Sequence, residues 1–120
     1  MATLARDDVF RLHAQICKAL GDPNRLLILV ELRSGPRTVG QISDAIGASQ
    51  PLTSRHLAVL RDKGLVEAQR RGTFVRYSLT DRRILTAIDI LLAVLASQLA
   101  RQGAHGTTAR RLRPIHRASA

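Results

Sequence analysis

At 120 residues the chain is sized for one domain, near the lower end of what buries a self-sufficient core, so association into a dimer is expected from length alone. Its 19 basic against 9 acidic residues leave a net charge of +10, carried mostly by arginine, a balance that suits a polyanionic partner. The single cysteine excludes an internal disulfide and any CxxC zinc or redox motif. With no uncharged apolar run of about 18 residues and no hydrophobic signal-peptide core, a soluble, cytoplasmic protein is predicted.

In chain order, Asp7 or Asp8 is placed to open a helix whose apolar positions Val9, Leu12, His13, Ile16, Cys17 and Leu20 follow helical spacing, with Gly21 ending it. Asp22-Pro23 then forms a cap and a first-turn proline. Leu26, Leu27, Ile28, Leu29, Val30 and Leu32 make a second helix apolar nearly all round, as expected at the centre of a fold, stopped by Gly35-Pro36. Thr38 and Gln41 have the spacing of a capping box, and the helix they open turns Val39, Ile42 and Ile46 inward before Gly47.

Residues 49–64, SQPLTSRHLAVLRDKG, follow after a short turn and complete a helix-turn-helix pattern. Ser49 or Gln50 can cap this helix, Pro51 sits in its first turn, and Gly64 supplies the left-handed residue that stops it. Thr53, Leu57 and Leu60 form the face toward the core, and His56 reads as a core histidine. The opposite face carries Gln50, Pro51, Ser54, Arg55 and Ala58: small or hydrogen-bonding groups and one guanidinium, without a carboxylate. Such a face can approach base edges closely.

Two predicted strands, residues 65–70 and 74–79, joined by the Arg71-Gly72-Thr73 corner, make a hairpin with Val75, Tyr77 and Leu79 on one face. A hairpin in this position is a wing, and Arg70, Arg71 and Arg76 place three cations on or near it, where phosphates or a narrow minor groove would receive them. A long helix is predicted over residues 81–102, with apolar residues on more than one face. The surplus apolar surface calls for a second subunit. Ile88, Leu91, Leu92, Leu95 and Leu99, assisted by Val9, Leu12 and Ile16 of the first helix, are the expected dimer seam. Residues 1–102 therefore form one winged-helix domain, and residues 103–120, rich in glycine and arginine without periodicity, a disordered basic tail. The basic character is not only a tail effect, since residues 1–100 hold 14 basic and all 9 acidic residues.

Three runs, LGDPNRLLILVEL (residues 20–32), TVGQISDAIGASQPLTSRHLAVLRDKGLV (38–66) and RRGTFVRYSL (70–79), resemble the ArsR/SmtB family of winged-helix repressors over roughly residues 7–100. The resemblance implies a mainly α, dimeric winged helix-turn-helix fold and a homodimer on an operator of twofold symmetry. Matched to the family's S-Q-x-x-x-S-x-H-L pattern, Gln50, Pro51, Ser54 and Arg55 become groove contacts, with Thr53 and Leu57 as core. Together with Thr38, Ser49, Arg70, Arg71, Thr73 and Arg76 they make up the expected DNA-contacting set.

The sensing side departs from the family. Residues 38–44 lack the cysteine pair of arsenic and cadmium sensors. Arg83 stands where zinc and nickel sensors have the histidine of an Asp-x-His pair beginning at Asp81, and Val94 and Ser97 replace ligands on the last helix. Persulfide-type members need two thiols. What remains is His13 and Cys17, four apart, read here as apolar-face residues with a structural role. As a metal site for zinc or nickel they would need His105, His116 or a second subunit to complete the ligand set. No nucleophile with a base, paired carboxylates or phosphate loop is present, so an enzyme is not expected. A dimeric operator-binding regulator, most often a repressor, is the leading expectation; the alternative is a winged-helix interaction module or sequence-neutral nucleic-acid binder.

Overall fold

The helices form where caps and apolar spacing coincide. The computed structural model describes residues 4–103; the predicted basic tail with His105 and His116 lies, apart from Gly103, outside the described residues. The elements are α1 (Arg6–Leu12), a π-helical stretch (His13–Cys17), α2 (Lys18–Leu20), α3 (Pro23–Glu31), a 3-10 turn (Leu32–Ser34), β1 (Arg37–Thr38), α4 (Val39–Ile46), α5 (Gln50–Asp62), β2 (Val66–Arg71), β3 (Phe74–Leu79) and α6 (Arg83–Gly103). The architecture is mainly helical with one small antiparallel sheet.

Residues 6–20 run on as one helix through the π segment. Its start differs from expectation: Ala5, not Asp7 or Asp8, is the cap residue, and the Asp8 carboxylate accepts from the Ala5 N–H at 3.3 Å. An acid one turn in reaches back to a donor the helix leaves free and complements its dipole. His13 and Cys17, expected on the apolar face that a second subunit covers, are both exposed in the single subunit. Of this helix only Ala19 is buried, because the subunit packs against its C-terminal end and leaves Val9 and Leu12 in solvent.

Asp22 caps α3 through its side chain, which accepts from the Asn24 N–H at 2.8 Å, and Pro23 follows in the first turn. The core gathers Ile28, Leu29 and Leu32 from α3 and its 3-10 extension, Ile42 and Ile46 from α4, Leu57 and Leu60 from α5, and Leu65 and Val66 after it. Truncating one of these to alanine costs about 2–5 kcal/mol, a large fraction of the roughly 5–15 kcal/mol that holds such a domain folded.

The sheet has the order β1-β3-β2. The hairpin pairs Val66 with Leu79 through Arg71 with Phe74, so Gly72-Thr73 form the turn. Its first strand begins one residue later than predicted, because Leu65 is used to finish α5: its N–H bonds the Leu60 carbonyl at 2.9 Å, Gly64 N–H bonds Arg61 at 3.0 Å, and Gly64 takes φ 76. This doubly bonded helix end needs a left-handed residue, which glycine adopts without steric cost. The third strand, β1, was not foreseen. It pairs Arg37 with Tyr77 and Thr38 with Arg76, and two residues have too short a period to be read locally.

Helix α6 begins at Arg83, two residues later than predicted. Asp81 caps it by accepting from the Arg83 N–H at 2.9 Å. Arg33 pairs with Asp89 at 2.8 Å, and Arg82 donates to the Arg33 carbonyl at 3.0 Å, tying the start of α6 to the 3-10 turn. Leu85 and Ile88 are buried. Ile88, placed at the dimer seam by its spacing, is therefore a core residue of its own subunit, since the first turns of α6 close the core. Beyond it Ile90, Leu91, Leu92, Val94 and Leu95 are 44–64% exposed.

Candidate nucleic-acid interface

Helix α5 is held at its start by Ser49, whose hydroxyl accepts from the Leu52 N–H at 3.3 Å. Thr53, fully buried, returns its own hydroxyl to the Ser49 carbonyl at 2.8 Å, which lets a polar residue sit in the core without an unpaired group. Thr53, His56, Leu57 and Leu60 face inward, while Gln50, Pro51, Ser54, Arg55 and Ala58 are all exposed. The two faces are those the periodicity predicts.

The preceding helix has equally well-bonded ends. Thr38 and Gln41 close the capping box of α4, with Thr38 N–H to Gln41 at 3.0 Å and Gln41 N–H to the Thr38 hydroxyl at 3.2 Å. Gly47, at φ 72, ends α4 in the left-handed conformation, and its N–H and that of Ala48 both reach the Ser43 carbonyl. Only Gly47, Ala48 and Ser49 separate the two helices.

The wing is fastened to the same helix end. Thr80 donates its hydroxyl to the Gly64 carbonyl at 2.7 Å and its N–H to the Leu65 carbonyl at 3.2 Å, so the base of the hairpin is bonded to the stop of α5. Arg70, Arg71 and Thr73 are exposed at the tip. Arg76, also exposed, lies in the central strand, flanked by Thr38 on β1 and Gln69 on β2. The sheet thus brings Thr38 and Arg76, far apart in sequence, side by side.

Sequence reasoning missed Arg61. It is exposed and continues the line of Ser54 and Ala58, and these three with Asp62 and Tyr77 line a shallow groove between α5 and the wing. The spacing 54, 58, 61 was the available signal. Asp62 puts a carboxylate at the far end of a face that is otherwise free of one, 3.5 Å from the Lys63 ammonium. The Gln50 amide rests over the first turn of α4: a Cβ added at Gly40 would stand 3.4 Å from it, in ordinary contact.

Among the described residues no group of three or more His, Cys, Asp or Glu side chains could hold a metal ion. Asp81 is occupied otherwise. The Arg83 guanidinium binds its carboxylate at 2.7 Å, and that hydrogen bonding, with the Arg83 backbone N–H, lowers the Asp81 pKa from 3.8 to about 2. His13 and Cys17 share one stretch of exposed helix, and no third donor joins them among the described residues.

A short-turn helix pair with a bare polar face on its second helix, and an arginine-bearing hairpin bonded to the end of that helix, define a winged helix-turn-helix DNA-binding protein. Residues 22–68 match the family described as bacterial regulatory protein, arsR family. The chain is 42% identical over 76 residues to the HTH-type transcriptional regulator NmtR of Mycobacterium tuberculosis, the match spanning 63% of this chain and 63% of that one, a little under two thirds of its length. It is 33% identical over 85 residues to the biofilm growth-associated repressor of Xylella fastidiosa, covering 71% of this chain and 75% of the relative. Among solved structures it is similar to the homodimeric winged helix-turn-helix DNA-binding domain of a possible ArsR-family transcriptional regulator from Mycobacterium bovis, with TM-score 0.71, 30% identity, and 84% and 95% of the two chains covered. The chain belongs to the arsR family of bacterial regulatory proteins: it is a DNA-binding transcriptional regulator and not an enzyme.

Proposed function

We propose that the protein works in the cytoplasm as a homodimeric repressor on an operator of twofold symmetry, each subunit laying α5 in the major groove and the β2–β3 wing against the neighbouring minor groove. The observation that carries this reading is the exposed face of α5, where Gln50, Pro51, Ser54, Arg55 and Ala58 stand clear of the core that buries Thr53, Leu57 and Leu60. Arg55 offers a planar fork matched to guanine, and Gln50 and Ser54 offer both donors and acceptors. Arg70, Arg71 and Arg76 supply phosphate-neutralising charge, with Thr38, Ser49 and Thr73 at the edges of the same surface.

The second half of the reading is the dimer. The relative from Mycobacterium bovis is homodimeric, and here Leu91, Leu92 and Leu95 of α6, with Val9 and Leu12 of the first helix, are exposed apolar side chains, flanked by the partly covered Ile16 and Leu99. The most apolar stretch of α6 has a mean hydropathy of 1.7 and is 11% buried, long and apolar enough to cross a membrane. In a DNA-binding regulator the fitting cover is the same face of a second copy, which buries both at once.

The described residues do not by themselves make up a zinc or nickel site. Two exposed side chains on one helix fall short of the four ligands zinc takes, and Asp81 is committed to Arg83. The test of the proposed function is selection of duplexes from a random pool by the wild-type protein, followed by titration of the selected and a scrambled duplex across a salt series. A twofold-symmetric selected sequence bound more tightly than the scrambled one at every salt concentration is the expected result; equal affinities would refute operator readout.

A further inference from the structure

The Arg25 side chain hydrogen-bonds both the end of the first helix and the recognition helix. From α3 its Nε donates to the Ala19 carbonyl at 2.6 Å and one terminal nitrogen donates to the Lys18 carbonyl at 3.2 Å. Both carbonyls lie in the last turn of the helix, the Lys18 one also accepting from the Gly21 N–H at 3.2 Å, and a guanidinium there meets the negative end of the helix dipole. The other terminal nitrogen lies 3.3 Å from Nδ1 of His56, which is 8% exposed on the inner side of α5. A guanidinium has donors only, so Nδ1 must accept and the ring proton sits on Nε2. Nε2 in turn is 3.8 Å from Asp22, the cap of α3. Arg25 through a hydrogen bond and Asp22 through its carboxylate are the charged partners of the ring among the described residues.

We infer that Arg25 and His56 form a strut through which the C-terminal end of the first helix sets the tilt of the recognition helix, making both positioning residues for operator readout. Neither touches DNA, and both act through the angle of α5. The inference rests on the dimeric operator reading above. If the first helix lies at the seam between subunits, a guanidinium bonded to its end and to α5 passes the seam's geometry directly to the groove-facing Ser54 and Arg55, which precede His56 on the same turn of α5. The alternative of His56 as a plain core histidine accounts for its burial. It leaves unexplained why the ring's acceptor nitrogen is met by a cation that simultaneously finishes another helix.

The strut predicts an unusual order among substitutions. His56→Asn places an amide oxygen near the position of Nδ1 and keeps an acceptor for Arg25; His56→Gln carries its amide further out, toward the position of Nε2, and does not. Arg25→Lys keeps the charge but replaces a fork with a point donor that cannot serve Ala19 and His56 together. The experiment measures affinity for a duplex selected from a random pool by the wild type and for a scrambled duplex at the same salt concentration. Sedimentation and thermal unfolding of each variant confirm a folded dimer at the assay temperature. His56→Gln and Arg25→Lys are expected to lose about tenfold on the selected duplex, the loss of a hydrogen bond to a charged group, with the scrambled duplex unchanged. His56→Asn is expected within about threefold of the wild type, given the same bond retained. If His56→Asn and His56→Gln weaken the selected duplex equally, or all three variants keep the wild-type ratio of the two affinities, the strut is refuted; Arg25→Lys decides alone should both His56 variants fail to fold. A wild type that binds the two duplexes alike would overturn the operator reading and the strut with it, whereas a discriminating wild type with indifferent variants would overturn only the strut.

Discussion

Helices α5 and α6 both contribute to the same core, α5 with Leu57 and Leu60 and α6 with Ile88, yet the sides they leave bare are opposite in chemistry. Helix α5 exposes glutamine, proline, serine, arginine and alanine; α6 exposes isoleucine, leucine and valine at 44–64%. A polar, cationic face loses little by staying in water and gains from a polyanion, which releases its counterions on contact. An apolar face of that size gains only from being covered. The comparison teaches that exposure alone assigns no role, whereas the chemistry of the exposed groups selects the kind of partner.

The sharpest way to break the comparison is to make the α6 face resemble a solvated one. Leu92→Glu or Leu95→Glu is expected to leave the subunit folded but to place an unpaired charge in the dimer seam, costing association about 3–5 kcal/mol. Sedimentation at micromolar concentration would register the shift to monomer, and a wild type that is itself monomeric there would remove the argument from excess apolar surface.

On α5 the corresponding change is Arg55→Ala. It should cost about 1–3 kcal/mol on the operator and relax preference at one base pair per half-site, as loss of a bidentate guanine contact does. Fluorescence anisotropy on duplexes varied at single positions would resolve it. Arg71→Ala, at the wing tip, should behave differently: operator and random DNA weaken by similar factors, and the slope of log affinity against log salt falls by about one unit per subunit. If both variants weakened both duplexes equally, α5 would be a sequence-neutral surface and its contrast with the wing would disappear.

The smallest expected effect lies where α6 begins. Because Arg83 lowers the Asp81 pKa in the folded chain from 3.8 to about 2, the pair contributes stability that is present above the ordinary value and is lost as pH falls through the folded one. Asp89, lowered by its hydrogen bonds with Arg33, adds in the same direction. Carboxyl resonances followed between pH 5 and pH 1.5 should show Asp81 titrating near 2, and Arg83→Ala should return it toward 3.8. An unshifted Asp81 would mean that the ion pair does not persist in solution.

Much of this was legible without coordinates, because it is local. The faces of α5 follow from helical spacing, and its ends from Ser49, Pro51 and Gly64; the box of Thr38 with Gln41 and the hairpin of residues 66–79 also lie within a few neighbours of one another. Such features depend on rotation per residue and on groups that bond to their own turn, so residue order alone determines them. Other features depend on what the rest of the chain brings alongside. β1 exists because β3 offers it a partner, Ile88 is core and not seam because the first turns of α6 join the subunit's own core and are tied to the 3-10 turn through Arg33, and His13 and Cys17 are bare in the single subunit because it covers only the end of their helix. The contact of Arg25 with His56 spans 31 residues and joins α3 to α5, and the same guanidinium bonds the end of the first helix. No periodicity encodes it, because the guanidinium finds the ring only after the packing of α3 against α5 has fixed the distance between them.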